Sequence, residues 1–287
     1  MNARAILLCV LLALVAAVSW WGLQAPLRAA DQPRSLAKWQ HGTLAFPISQ
    51  PWHDELAEVL KTAPLLALTD PNAPTIVRHL LKQVTWMDPK SIKVDIAFPK
   101  GLRIRYQPRW PILRLLPPEG APVYLSVDAT LLPPGVQGAL HEHVLDLPLD
   151  PGISLPAPGR RLANALVQEG IRMHVDALKV QEVTGLKVLR LERQEGYPMS
   201  AKEIPPAMTI VLADGTQLFW GRSSLTRDPL GNTFVVKMGI LGSIVRQYPG
   251  LASISRVYLD RLPIRILDSK GAPLPFQDGV LLHVLKD

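Results

Sequence analysis

After Cys9 the sequence contains no cysteine. No disulfide and no thiolate metal site can form in the rest of the chain, so its cores must hold by packing alone. Internal repeats and low-complexity tracts are missing as well. So are zinc-finger spacings and RNA-binding signatures, and the formal net charge of +7 is too diffuse to imply nucleic acid by itself. A mildly basic surface facing an anionic envelope accounts for that charge. Charged residues make up 19% of the chain against 48% hydrophobic, which excludes a disordered chain and allows sizeable cores. Proline is what abounds. Its 28 copies in 287 residues favour short strands and stiff connections over long helices.

Residues 5–23, AILLCVLLALVAAVSWWGL, carry no charge. At about 1.5 Å per residue, a helix of this length spans roughly 28 Å, near the hydrocarbon thickness of a bilayer. Arg4 precedes the run and Trp20 and Trp21 end it, which orients a cytoplasmic start and an interfacial finish. The following QAPLRAADQ offers no small-x-small cleavage site free of Pro or Arg. An uncleaved anchor is therefore expected in place of a signal peptide. The expected organisation is a cytoplasmic tail at 1–4, a transmembrane anchor at 5–23, a tether at 24–38, and extracytoplasmic domains at 39–114 and 115–287. The protein would then sit in the cytoplasmic (inner) membrane as a single-pass protein.

The first domain is expected to be a βααββ unit. HGTLAFPI (41–48) suggests a strand. PWHDELAEVLKT (51–62) suggests a helix with Leu56, Val59 and Leu60 inward, and DPNAPTIVRHLLKQV (70–84) a second with Ile76, Val77, Leu80 and Leu81 inward. Two alternating strands follow around a Pro99–Lys100–Gly101 loop. That register pairs Phe98 with Leu102, Ile96 with Ile104 and Asp95 with Arg105, and turns Ile96, Phe98, Ile104 and Tyr106 toward the helices. Arg103 and Arg105 then lie on the solvated face, and a weak contact with an anionic surface or partner stays open.

The second domain is expected to be larger, mixed α+β, with a mainly antiparallel sheet. Arg161 to Glu169 suggests a helix stopped by Gly170. LKVLRLERQ (186–194) and MTIVLADGTQLFWGR (208–222) suggest strands, the latter a hairpin at Asp214–Gly215. VVKMGILGSIVRQYPG (235–250) suggests a helix with Ile240, Leu241, Ile244 and Val245 inward. SISRVYLD (253–260), LPIRILD (262–268) and GVLLHVL (279–285) suggest closing strands.

Catalytic and metal motifs are weak. His141-Glu142-His143 is the best metal candidate, but the usual third ligand is not evident, Asp146 being the nearest, and a solvated turn explains it. His53, Asp54 and Glu55 suit the start of a helix, where acids complement the dipole. Gly242-Ser243 lacks a nucleophile-elbow pattern, and no phosphate-binding loop is present. The reading is a non-enzyme without cofactor or metal.

The order of tail, span, small βααββ unit and larger α+β domain resembles the bacterial cell-division family FtsQ/DivIB, with its POTRA domain followed by a β domain. The resemblance covers about residues 40–267. It is carried by VTWMDPKSIKVDIAFPKGLRIRYQPRWPILRL (84–115), with Pro111 at the family's proline, by YLSVDATLLPPG (124–135) and by MTIVLADGTQLFWGR (208–222). Departures are Gln107, where the family often has Glu, and Tyr258-Leu259-Asp260-Arg261, where it has an Asp-Leu-Arg run. The resemblance implies a scaffold of the divisome at the septum, which regulates septal wall synthesis by binding small coiled-coil membrane proteins (FtsB/DivIC-like and FtsL-like). It places that contact on the late strands, across Val257, Tyr258, Leu259, Asp260, Arg261, Leu262, Pro263, Ile264 and Arg265, by strand addition at a sheet edge. A rival reading is an envelope secretion or transport component whose POTRA unit holds client polypeptides.

Overall fold

The computed structural model describes residues 15, 18, 19, 24, 49–97, 101–135, 143–195, 205–226, 228, 229 and 231–276. Nearly all of the 5–23 span, the expected strand at 41–48 and the expected last strand at 279–285 lie outside these. Among the described residues no helix is long and apolar enough to cross a membrane. The chain forms two compact units that divide between Arg109 and Trp110. The expected boundary at 114 falls inside a strand, because Pro111 opens an element of the second unit's sheet and does not close the first unit.

In the first unit, α1 (Gln50–Lys61) carries Pro51 in its first turn, where the missing N–H has no intrahelical partner to lose. Leu60 is buried and Leu56 and Val59 are half-buried, as the spacing predicts, and Trp52 joins them inside. Helix α2 (Ala73–Leu81) buries Val77 and Leu81 and half-buries Ile76 and Leu80. Trp52 and Trp86 stack at 5.0 Å, and Trp86 donates its Nε1–H to the Trp52 carbonyl at 3.2 Å. Glu55 does not serve the helix dipole. Its carboxylate accepts from the Thr85 N–H (2.6 Å) and the Thr85 hydroxyl (2.9 Å), tying α1 to the segment after α2.

The hairpin of β1 (Lys93–Ala97) and β2 (Gly101–Arg105) forms, but in a different register. Ile96 pairs with Leu102, Val94 with Ile104 and Lys93 with Arg105. The strands have slid by two residues from the expected pairing. A two-residue slip keeps every side chain on its original face, so alternation alone cannot choose between the registers. The pairing adopted sets Ala97 opposite Gly101, whose φ is 146°. The buried set is accordingly Ile92, Val94 and Leu102, while Ile104 and Tyr106 are half-buried and Ile96 is 43% exposed. Phe98 lies outside the described residues. Asp95 and Arg105 still meet, diagonally, at 2.7 Å, with both side chains exposed. Leu102→Ala should cost about 2–5 kcal/mol, Ile104→Ala clearly less, and Arg103→Ala within about 0.5 kcal/mol. Equal losses at Leu102 and Ile104 in a denaturant melt would contradict this register.

Among the described residues the second unit is an eight-stranded sheet with two α-helices. Its strands are β3 (Pro111–Leu116), β4 (Val123–Ser126), β5 (Leu145–Pro148), β6 (Val188–Arg193), β7 (Met208–Leu212), β8 (Gln217–Gly221), β9 (Ile254–Tyr258) and β10 (Arg265–Asp268), in the order β10-β9-β8-β7-β6-β5-β3-β4. Four of the seven junctions are antiparallel. The three parallel ones join β3 to β5, β5 to β6 and β8 to β9. The last two pairs need crossovers, which α3 (Ala165–Thr184) and α4 (Phe234–Gln247) supply. Side chains from both helices and the sheet make one core, among them Leu113, Leu147, Met173, Val180, Ile210, Trp220, Leu241 and Val257.

Helix α3 corrects the expectation of a stop at Gly170. It begins at Asn164, whose side chain accepts from the Val167 N–H, runs through Gly170, and ends at Gly185 in the left-handed region (φ 73°). Gly170 is a packing residue. A Cβ there would lie 2.8 Å from Leu147 Cδ2 and 3.3 Å from Leu113 Cδ1, so its absence lets the helix approach the sheet. The β7–β8 hairpin matches its signal: Gly215 sits at φ 88° and Asp214 accepts from the Thr216 N–H at 2.9 Å. In α4, Ile240, Leu241 and Ile244 are buried and Val245 is half-buried, as expected.

Candidate functional site

The segment Val257–Arg265 does not form one edge. Val257 and Tyr258 belong to β9, which lies between β8 and β10 and is interior. The crossover through α4 brings β9 back parallel to β8, and the N–H groups of Leu259 and Asp260 both donate to the Phe219 carbonyl, at 2.9 and 3.1 Å. Val257, Leu259 and Asp260 are buried, and Arg261 and Ile264 half-buried. Leu262 and Pro263 are exposed around a cis peptide bond. Arg265 opens β10, the outermost described strand at this end of the sheet. On one face Tyr258 stacks on Phe219 (4.3 Å, 10°), and Arg265 lies 4.4 Å over the Tyr258 ring. Proline at Leu259 would thus break an internal bond and cannot report on an edge.

Next to these strands lies a buried charged network that motif reading missed. Glu169 is fully buried on α3. It accepts from the Ser223 N–H (2.7 Å) and the Thr226 hydroxyl (2.7 Å), with Arg172 at 3.4 Å. Asp176, two turns along the same helix, accepts from Trp220 Nε1 (3.0 Å), the Ser224 N–H (2.8 Å) and the Ser224 hydroxyl. Lys237 of α4 is buried, donates to the Arg222 carbonyl at 3.1 Å and lies 5.3 Å from the Trp220 ring. Burial pushes the Lys237 ammonium below its ordinary value, while Asp176, Asp228, Asp260 and Glu169 oppose that shift. Arg222 pairs with Asp228 at 3.1 Å and donates to the Pro205 carbonyl at 3.0 Å.

The network reaches the late strands. Gln194 donates to Asp260 at 3.2 Å, and the Asp260 and Leu259 carbonyls accept from Asn232, at 2.8 Å from its N–H and 2.9 Å from its side-chain amide. Gly221, at φ 80°, allows this approach, since a Cβ would stand 3.0 Å from that of Asp260. Glu169 and Asp176 each accept from several donors, so the arrangement fixes the loop that carries Ser223, Ser224 and Thr226. The signal was available in sequence: Glu169 and Asp176 stand seven apart, on the helical stripe of Leu166, Met173 and Val180, which should be apolar.

Among the described residues no group of His, Cys, Asp and Glu could hold a metal ion. His53 is exposed on α1, and Ser243 donates back to the Gly239 carbonyl at 3.1 Å. His141 and Glu142 lie outside the described residues, and His143 is exposed. The His143 carbonyl accepts from buried His174 Nε2 at 2.8 Å. Burial pushes the His174 imidazole below its ordinary 6.5, and that hydrogen bond opposes the shift. The unfolded chain therefore takes up this proton first as pH falls. Stability from His174 is complete above 6.5 and declines as pH drops from 6.5 through the lower folded value. Thermal melts from about pH 8 to about pH 5 should show this loss, and His174→Asn should flatten it; parallel curves for the two proteins would refute the assignment.

No protein-family model matches the chain, and no curated protein matches it. Fold and site together define a mixed α+β protein of two units, whose larger sheet has β10 as its outermost described strand at one end and carries a loop clamped by buried charges.

Proposed function

We propose that the chain is a non-enzymatic, membrane-anchored scaffold of bacterial cell division, and that its second unit binds small coiled-coil membrane proteins by adding a strand at β10. The observation that carries the site is the position of β10 (Arg265–Asp268) as the outermost described strand at one end of an eight-stranded sheet. A strand edge offers main-chain donors and acceptors to an extended partner. The resemblance to FtsQ/DivIB supports the biological setting. The uncharged run at 5–23 supports an inner-membrane anchor, with the first unit acting as a POTRA domain. The contact narrows from Val257–Arg265 to Arg265 and the residues after it, because Val257–Asp260 serve the sheet itself.

A fluorescent fusion of the full chain tests the setting. Mid-cell accumulation in dividing cells, with co-purification of small coiled-coil membrane proteins, is the expected result. Uniform envelope fluorescence with capture of an outer-membrane barrel or client polypeptides would replace this reading with secretion or transport.

A further inference from the structure

The outer edge of β10 is occupied by the chain's own return segment. After Asp268 the backbone turns at Gly271 (φ 79°) and runs back antiparallel, with Leu267 opposite Pro273. The Asp268 N–H donates to the Ala272 carbonyl and the Leu274 N–H to the Ile266 carbonyl, both at 2.9 Å. The Asp268 side chain secures the turn by accepting from the N–H groups of Lys270 and Ala272, each at 2.8 Å. Beyond the turn, the end of α4 holds the return. The Tyr248 hydroxyl and Gln247 Nε2 both donate to the Pro275 carbonyl, at 2.5 and 3.1 Å. Leu274 and Phe276 pack on the core.

We infer that residues 272–276 form a strap that competes with an incoming strand for β10, so that partner binding is gated by release of this segment. The inference rests on the proposed scaffold function. The strap uses the outward-facing Ile266 carbonyl and Asp268 N–H, two groups an added antiparallel strand would also need. The strand is only four residues long and starts at Arg265, after the exposed Leu262–Pro263 corner, which leaves little edge before Ile266 for a partner to use instead. Only the strap-open fraction can then bind, and the apparent dissociation constant is the intrinsic one divided by that fraction. The strap is also weakly founded. Pro273 and Pro275 have no N–H, so Leu274 is the single donor to β10 between them. The clamp from Gln247 and Tyr248 therefore sets how often it opens.

Tyr248→Phe with Gln247→Ala removes the clamp at exposed or half-exposed positions and leaves the β10 edge intact. Each lost hydrogen bond should raise the open fraction about two- to tenfold. Two measurements on the full-length, detergent-solubilised protein test this. One is amide exchange at Leu274 and Asp268. The other is affinity for the purified extracytoplasmic segment of the small coiled-coil protein captured in the preceding experiment. Exchange should accelerate and the dissociation constant should fall by the same factor. Leu274→Pro, which removes the donor itself, should tighten binding similarly. Faster exchange with unchanged affinity would overturn the strap as a gate while leaving the scaffold reading in place. Unchanged exchange would show that Gln247 and Tyr248 do not hold the segment, which also overturns it. Absence of binding by wild-type and variant proteins alike would remove the scaffold reading, and the gate with it.

Discussion

Glu169→Ala is expected to destabilise the second unit by about 3–5 kcal/mol, a large part of the roughly 5–15 kcal/mol that holds a typical domain together. The carboxylate is fully buried, and its donors are a backbone N–H at Ser223 and a hydroxyl at Thr226. Truncation leaves the buried Ser223 N–H without its acceptor and takes a partner from the half-buried Thr226 hydroxyl. It also removes one of the four carboxylates that offset the buried Lys237 ammonium, whose proton affinity burial already lowers. Loss of the Ser223–Thr226 tether should loosen the segment leading to Asn232, and through Asn232 the Leu259 and Asp260 carbonyls. Glu169→Gln keeps an acceptor for the Ser223 N–H, and the Thr226 hydroxyl can turn to suit an amide, so its cost should be clearly smaller. Urea melts of the two variants decide the matter. A loss below about 1 kcal/mol for the alanine variant would mean that the loop is held by other contacts.

The buried network also shows where sequence reading stops. The spacing of Glu169 and Asp176 puts two acids on an apolar stripe, a conflict visible in the sequence. Arg172 apart, their partners lie 44 to 57 residues away, on a strand and loop that only the folded sheet brings back to α3. The same non-locality misplaced the edge. SISRVYLD and LPIRILD were legible as strands, but the parallel return of β9 onto β8 was not, because a crossover pairing leaves no local turn signature. Where a hairpin was closed by a demanding turn, as at Asp214–Gly215, sequence and structure agree. In the β1–β2 hairpin two registers satisfy the alternation equally, and only the folded pairing of Ala97 with Gly101 tells them apart. Gly170 carried the signature of a stop, yet its role depends on Leu147 and Leu113 in strands it does not adjoin in sequence.

Trp86→Ala is the second substitution with a large expected effect, about 3–5 kcal/mol in the first unit. The indole is fully buried, stacked on Trp52, edge-on to Tyr106 at 5.6 Å, and hydrogen-bonded to the Trp52 carbonyl. Trp86→Phe keeps most of the apolar contact and loses the bond, so it should cost clearly less than alanine. A spectroscopic readout separates loss of packing from general unfolding. Burial pushes the Tyr106 phenol up to about 12. Its folded value lies above the unfolded 10.0, so the unfolded chain ionises first as pH rises. Stability from this group is complete below 10 and declines as pH climbs from 10 toward 12. Removing the Trp86 ring admits water to one side of the phenol and should bring its ionisation back toward 10. Ultraviolet titration of phenolate absorbance in the folded variant, checked by far-ultraviolet circular dichroism, should show one tyrosine shifted down relative to wild type. An unchanged titration in folded Trp86→Ala protein would place the cause of the Tyr106 shift elsewhere than the tryptophan core.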